Sequence, residues 1–273
     1  MRAVTATTAA LLAALLSGNA AAFVPQANHR NQVAASKTTP AATTSTSLGI
    51  FDQLNKIFAP DQAQSSAATA ELDDQINGCL ALLNSAADTK TEDPEAVVTA
   101  LESLEQLARQ KAKADPTFAT DVLTNLNGSW RLIFTTGTKQ TQDRIRKTVN
   151  YFPVKAVQSF DTSTNPYGIE NGIYVGDLAL IKFSGPFDFD LVRRKLEFDF
   201  TKIAVLGFEI RIKGEDAAKI GASTGLGSES NVKNSEKGKR PFFNWISADA
   251  TIATARGGGG GLALWKRVVE EEE

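Results

Sequence analysis

Glu197 and Asp199 stand two residues apart in an alternating run and so share one strand face, a spacing that suits a carboxylate pair for general acid–base work. Lys195 shares that face, and the simpler reading is a solvated, charged surface. Asp188 and Asp190 flank Phe189 in an expected turn region and read the same way. Nucleophilic catalysis is poorly provided for. The chain has one histidine and one cysteine, and His29 lies in an N-terminal stretch that reads as a removable targeting peptide. What remains has Cys79 and no imidazole, which excludes Ser-His-Asp and Cys-His systems. Ordinary zinc sites draw on histidine and cysteine clusters and are excluded likewise. Cys79 falls on an apolar helical stripe, the setting of an inert core thiol. Gly257 to Gly261 lacks the Lys-Ser/Thr or strand-to-helix context of a phosphate loop, and Leu262-Ala263-Leu264-Trp265 continues as strand, so the run reads as a hairpin turn. No catalytic residue, metal ligand or cofactor is implied, and the expectation is a binding protein, not an enzyme.

Two residue classes remain as binding candidates. Basic clusters occur at Arg144, Arg146 and Lys147, at Arg193-Arg194-Lys195, and at Lys233, Lys237, Lys239 and Arg240. Few aromatics interleave with them, so nucleic acid is not the expected partner. Anionic headgroups at a membrane surface suit the first and last clusters, and a plain solvated surface is the alternative. Fifteen phenylalanines against three tyrosines supply large apolar surface with no hydroxyl to satisfy. Alternation places Phe134, Phe183, Leu196, Phe198, Phe200, Phe208 and Ile210 on inward faces. They would form either the wall of a pocket for a lipid, pigment or quinone, or a packed core.

The elements that would position these residues divide at about residue 127. Residues 52–115 hold twelve acids against five bases, whereas residues 116–269 hold fifteen against twenty-one. The acidic part, 70–126, is helical: Leu72, Ile76, Cys79, Leu80 and Leu83 recur at helical spacing. Asp93-Pro94 caps a second helix with the stripe Val97, Leu101, Leu104 and Ala108. From Ser129 the period becomes two, most cleanly at Leu196–Phe200 and Phe208–Ile212. Seven to nine antiparallel strands with short turns over 127–269 predict a mainly β fold, a barrel or sandwich. Residues 214–240 read as a flexible basic loop, 48–69 as a linker, and 270–273 as a frayed acidic tail.

No stretch is long and apolar enough to span a membrane. Residues 1–47 instead read as a two-part presequence. Arg2, the apolar run Ala9–Leu16 and the small residues before Phe23 have signal-peptide layout, and the following Ser/Thr-rich, acid-free stretch matches a transit peptide. Ala22-Phe23-Val24-Pro25 resembles the junction of plastid presequences in algae with complex plastids, which implies a plastid destination. A secreted protein with a Ser/Thr-rich linker is the alternative.

Asn127-Gly128-Ser129-Trp130-Arg131-Leu132-Ile133-Phe134-Thr135-Thr136 resembles the opening strand of the plastid lipid-associated protein (fibrillin) family. Phe183-Ser184-Gly185-Pro186 is similar to that family's mid-barrel segment, and Asp249–Arg267 to its closing strands. The resemblance covers roughly 70–270. It implies a lipocalin-like antiparallel β-barrel with an N-terminal helical hairpin, peripheral association with thylakoids or plastoglobules, and binding of small apolar molecules such as a lipid, quinone or carotenoid. It also implies that Gly128, Trp130 and Arg267 close one barrel end, with the indole beneath the guanidinium. The rivals are a structural coat or assembly factor with a filled barrel, and an enzyme acting on a lipid or isoprenoid through carboxylates or Tyr174.

Overall fold

A computed structural model describes residues 50–139, 142–143, 150–223 and 229–269. The chain runs through helices α1 (Ile50–Thr89), α2 (Pro94–Ala114) and α3 (Phe118–Leu126), then strands β1 (Gly128–Thr135), β2 (Lys155–Asp161), β3 (Tyr167–Val175), β4 (Leu178–Asp190), β5 (Lys195–Phe198), β6 (Lys202–Val205) and β7 (Phe208–Arg211). Helices α4 (Gly214–Ser223) and α5 (Glu229–Ser235) precede β8 (Phe242–Ala248), β9 (Ile252–Gly257) and β10 (Leu262–Arg267).

The strands are antiparallel throughout, and eight of them close a barrel in the order β1-β2-β3-β4-β5-β8-β9-β10 and back to β1. Closure depends on the thirteen-residue β4, which pairs along one edge with β3. Its other edge is shared: Phe187–Asp190 pair with β5, and Ile181–Ser184 pair with β6. The β6–β7 hairpin therefore leaves the barrel beside β4, and β7 is the sheet's edge. Its turn has Leu206 at φ 50° and Gly207 at φ 85°, the two positive values of a tight hairpin turn.

Helices α1 and α2 form the expected hairpin. The α2 start is fixed by Asp93, whose carboxylate accepts from the Glu95 and Ala96 amides at 3.1 and 3.0 Å, with Pro94 at the first helical position. Val97, Leu101, Leu104 and Ala108 bury together with Leu83, Ala86 and Ala87 of α1. This cluster lies against the outer wall of β1, β8, β9 and β10, where Ile133, Ile246, Ile252, Leu262 and Leu264 point outward. Ion pairs hold the layers together: Glu105 to Arg256 at 2.6 Å and Asp88 to Lys266 at 2.6 Å.

Several expectations are corrected. Helix begins at Ile50, inside the segment read as linker. The apolar residues at 50, 54, 57 and 58 already have helical spacing. The 214–240 segment is not all loop: it contains α4 and α5, and Ala217 of α4 is buried against Ile181, Phe183 and Ile203. Asp188 and Asp190 lie within β4, not in a turn. Strand β8 is an additional element, and α3 lies within the segment expected to be helical. The 1–47 presequence and the 270–273 tail lie outside the described residues.

Candidate functional site

The two ends of the barrel are built differently. At the first end, Gly128, Trp130 and Arg267 come together. Trp130 is fully buried and donates its indole N–H to the Leu126 carbonyl at 2.8 Å. The Arg267 guanidinium lies 4.1 Å from the Trp130 ring centre and donates to four carbonyls: Asn125 (2.5 Å), Asn127 (2.8 Å), Ala250 (3.0 Å) and Asp249 (3.2 Å). Gly128 sits at φ 115°, and a Cβ there would approach Arg267 Nη1 to 2.9 Å, so both backbone and space call for glycine. Helix α3 covers this end. Asn125 donates to the Ala248 carbonyl, and Arg194 stacks over Phe118 while its Nε donates to the Trp245 carbonyl.

Above that closure the interior is filled by rings. Trp245 and Trp265 lie 5.3 Å apart, and Phe243 meets both. Phe198 stacks on Phe243 at 5.6 Å, and Phe160 meets Trp245 and Phe187 edge-on. All of these side chains are buried. Polar groups inside are few. Gln158 is buried and donates Nε2–H to Asn171 Oδ1 at 2.8 Å. Among the described residues, its Oε1 and the Trp245 indole N–H are buried without a hydrogen-bond partner.

The seven pocket candidates do not share one wall. Leu196 and Phe198 lie in the ring-filled interior. Phe200 packs partly against it and partly against the cluster under α4, to which Phe183 belongs. Phe134 is displaced to the outer wall, where it packs under the helical hairpin and edge-on to Tyr151 at 5.3 Å. The cause is a β-bulge between Leu132 and Phe134: one extra residue reverses the parity of everything after it. Phe208 and Ile210 are 81% and 59% exposed and wall no interior. They stand opposite Val205 and Ile203, on the face α4 covers further in, but on an edge strand that nothing among the described residues covers. An open groove of about 520 Å³ lies elsewhere, lined by residues that include Ser129, Ser159, Glu170, Ser184 and Lys202 and by none of the seven.

The charged candidates are dispersed. Lys233, Lys237, Lys239 and Arg240 are exposed along and after α5. Arg240 pairs with Asp188 at 2.7 Å and approaches Glu197 at 3.8 Å, and Lys195 meets Glu197 at 2.6 Å. The carboxylates considered for acid–base work at 188 and 197 thus serve as ion-pair partners, and among the described residues no acid is fully buried in the barrel. Arg144, Arg146 and Lys147 fall outside the described residues. A basic cluster that the sequence did not reveal lies at the β1–β10 seam, where Arg131 stands opposite Lys266 beside Lys90. Burial, then the charges of Arg131 and Lys266, push the Lys90 ammonium below its ordinary pKa. Strand register could have exposed the cluster, but the opening residue of β10 relative to β1 is set by the bulge.

Among the described residues no helix is long and apolar enough to cross a membrane, and no group of His, Cys, Asp or Glu is arranged to hold a metal. Among curated proteins, no relative matches the chain. The PAP_fibrillin family model matches residues 70–265, from the helical hairpin through the last strand of the barrel. That match spans well over half of the chain, and the protein belongs to the PAP/fibrillin family.

Proposed function

We propose that this protein is a non-enzymatic, lipid-associated protein of plastids whose barrel is a filled scaffold and whose work is done on the surface of thylakoids or plastid lipid droplets. The observation that supports this reading best is the ring network from Phe198 through Phe243 to Trp245 and Trp265, which occupies the interior a carrier would keep open. Family membership supports the lipid association, and the acid-free Ser/Thr-rich segment after Phe23 supports the plastid destination. The ion pairs that engage Asp188 and Glu197 give the enzymatic reading no support.

A second reading is favoured by one specific feature. The Gln158 acceptor and the Trp245 donor lie unpartnered in an apolar interior, and burying such groups costs about 1–3 kcal/mol each. A lipid, quinone or carotenoid would satisfy the Trp245 donor with a carbonyl or hydroxyl oxygen and the Gln158 acceptor with a hydroxyl group, and the protein would then be a carrier. Mass spectrometry of lipid extracts separates the two readings. The chain without residues 1–47 is incubated with plastid membranes and purified by gel filtration. The scaffold reading expects no stoichiometric lipid in protein that still floats with liposomes. A stoichiometric co-eluting lipid would replace it with the carrier reading.

A further inference from the structure

We infer that the tips of the β3–β4 and β6–β7 hairpins form a docking surface that enters a lipid layer to about the depth of the headgroup–acyl boundary. The inference rests on the lipid-association reading above and assigns it to a place on the molecule.

Five of the exposed large apolar residues fall on these two hairpins: Val175 and Leu178 on one, Leu206, Phe208 and Ile210 on the other. The hairpins are neighbours, because β4 pairs with β6 and the Leu206 amide donates to the Leu180 carbonyl. The apolar surface is continuous with the core. One cross-strand row runs Ile181, Val205, Phe208 and another runs Phe183, Ile203, Ile210. Each row begins buried and ends exposed. A soluble edge strand is ordinarily blunted by charge or proline at such positions.

The turn supplies an independent sign. Leu206 is held at φ 50°, where Asn or Gly fits a tight hairpin turn and a branched apolar side chain is strained. Leucine at that position lowers stability and exposes apolar surface at once, which folding alone does not explain.

Size and shape favour a lipid layer over a protein partner. Five side chains that are about half to four-fifths exposed present on the order of 500 Å². A stable protein interface needs about 800 Å² on each side. The patch is two convex turns, a shape suited to insertion. Around the tips stand Lys155, Lys182, Lys202, Arg211 and Lys213 with Glu170, Asp177 and Glu209, and Glu215 and Asp216 follow directly on Lys213, so five bases meet five acids. Three of these acids are paired with lysine, Asp177 with Lys155 at 3.0 Å, Glu170 with Lys182 at 2.8 Å and Glu209 with Lys202 at 3.0 Å. With charge balanced, apolar insertion sets the affinity and salt changes it little.

The test measures partition of the chain lacking residues 1–47 onto phosphatidylcholine vesicles containing one fifth phosphatidylglycerol. Leu206→Asn relieves the turn, so its melting temperature is expected to hold or rise while partition falls about fivefold, since the lost apolar area is that of one side chain. Phe208→Ser is expected to lower partition about tenfold or more at unchanged stability. Val192→Ser, at a 93% exposed site on the β4–β5 turn, is expected to change neither. Phe208→Trp is expected to shift to the blue and to be quenched by brominated acyl chains, and Val192→Trp is not. Parent-like binding by Leu206→Asn and Phe208→Ser overturns the docking surface and leaves lipid association standing. Failure of the parent to bind such vesicles or extracted plastid lipids overturns both. A concentration-dependent dimer that Phe208→Ser dissociates would assign the patch to a second copy of the chain and overturn the inference.

Discussion

The closed end under α3 and the projecting β6–β7 hairpin spend their aromatic and apolar residues in opposite ways. At the closed end the large rings are buried, and Arg267 donates to four carbonyls while stacking on Trp130. On the hairpin, Phe208 and Ile210 continue an interior row into solvent. The difference teaches that one barrel can be locked at one end without being finished at the other. Stability is concentrated where the family-like residues Gly128, Trp130 and Arg267 meet. The surface free to act is where packing stops.

Substitutions can break that contrast or sharpen it. The largest expected effect is Trp130→Ala, which removes a fully buried indole, its hydrogen bond to Leu126 and the surface under Arg267. A loss of about 4 kcal/mol is expected from urea unfolding. A loss below about 1 kcal/mol would mean that the end is not locked by this ring. Arg267→Met keeps much of the volume and removes the donors to four carbonyls. About 2 kcal/mol is expected by the same measurement, because hydrogen bonds from charged groups contribute more than neutral ones. The next effect concerns the link between helices and barrel. Burial alone would raise the Glu105 carboxyl, but the hydrogen bonds and charge of Arg256, aided by Arg109, outweigh it and hold its pKa below the ordinary value. A depressed carboxyl contributes stability above its unfolded pKa and loses it as pH falls through the folded one. Glu105→Gln is therefore expected to cost about 1 kcal/mol at neutral pH. Stability curves of the two proteins should converge as the solution is acidified, and curves that stay parallel would reject the pair as the cause. The smallest effect is expected at the other end, where Phe208→Ser should change unfolding free energy by less than about 0.5 kcal/mol.

The same contrast marks what could be read from the sequence. The α1–α2 hairpin was legible because Asp93-Pro94 and the Val97–Ala108 stripe are local signals. The closing trio was legible through family resemblance, and its geometry follows the expected stacking. Phe134 was misplaced because alternation assumes unbroken parity, and the bulge before it leaves no mark in composition. For Phe208 and Ile210 the face was read correctly and its cover was not. Alternation shows that two faces of a strand differ, and whether a neighbour covers the apolar one depends on β7 being an edge. Helix α4 was missed because ten residues with a glycine at each of two positions give a weak local signal, and its place comes from Ala217 meeting Ile181 and Ile203.

Hydrogen exchange on the chain lacking residues 1–47, with and without lipid vesicles, tests the division between a structural end and a lipid-facing end most directly. The account predicts that vesicles slow exchange at the β3–β4 and β6–β7 turns and leave β9, β10 and α3 as they are. Slowed exchange confined to β9, β10 or α3, with both turns unchanged in bound protein, would contradict it.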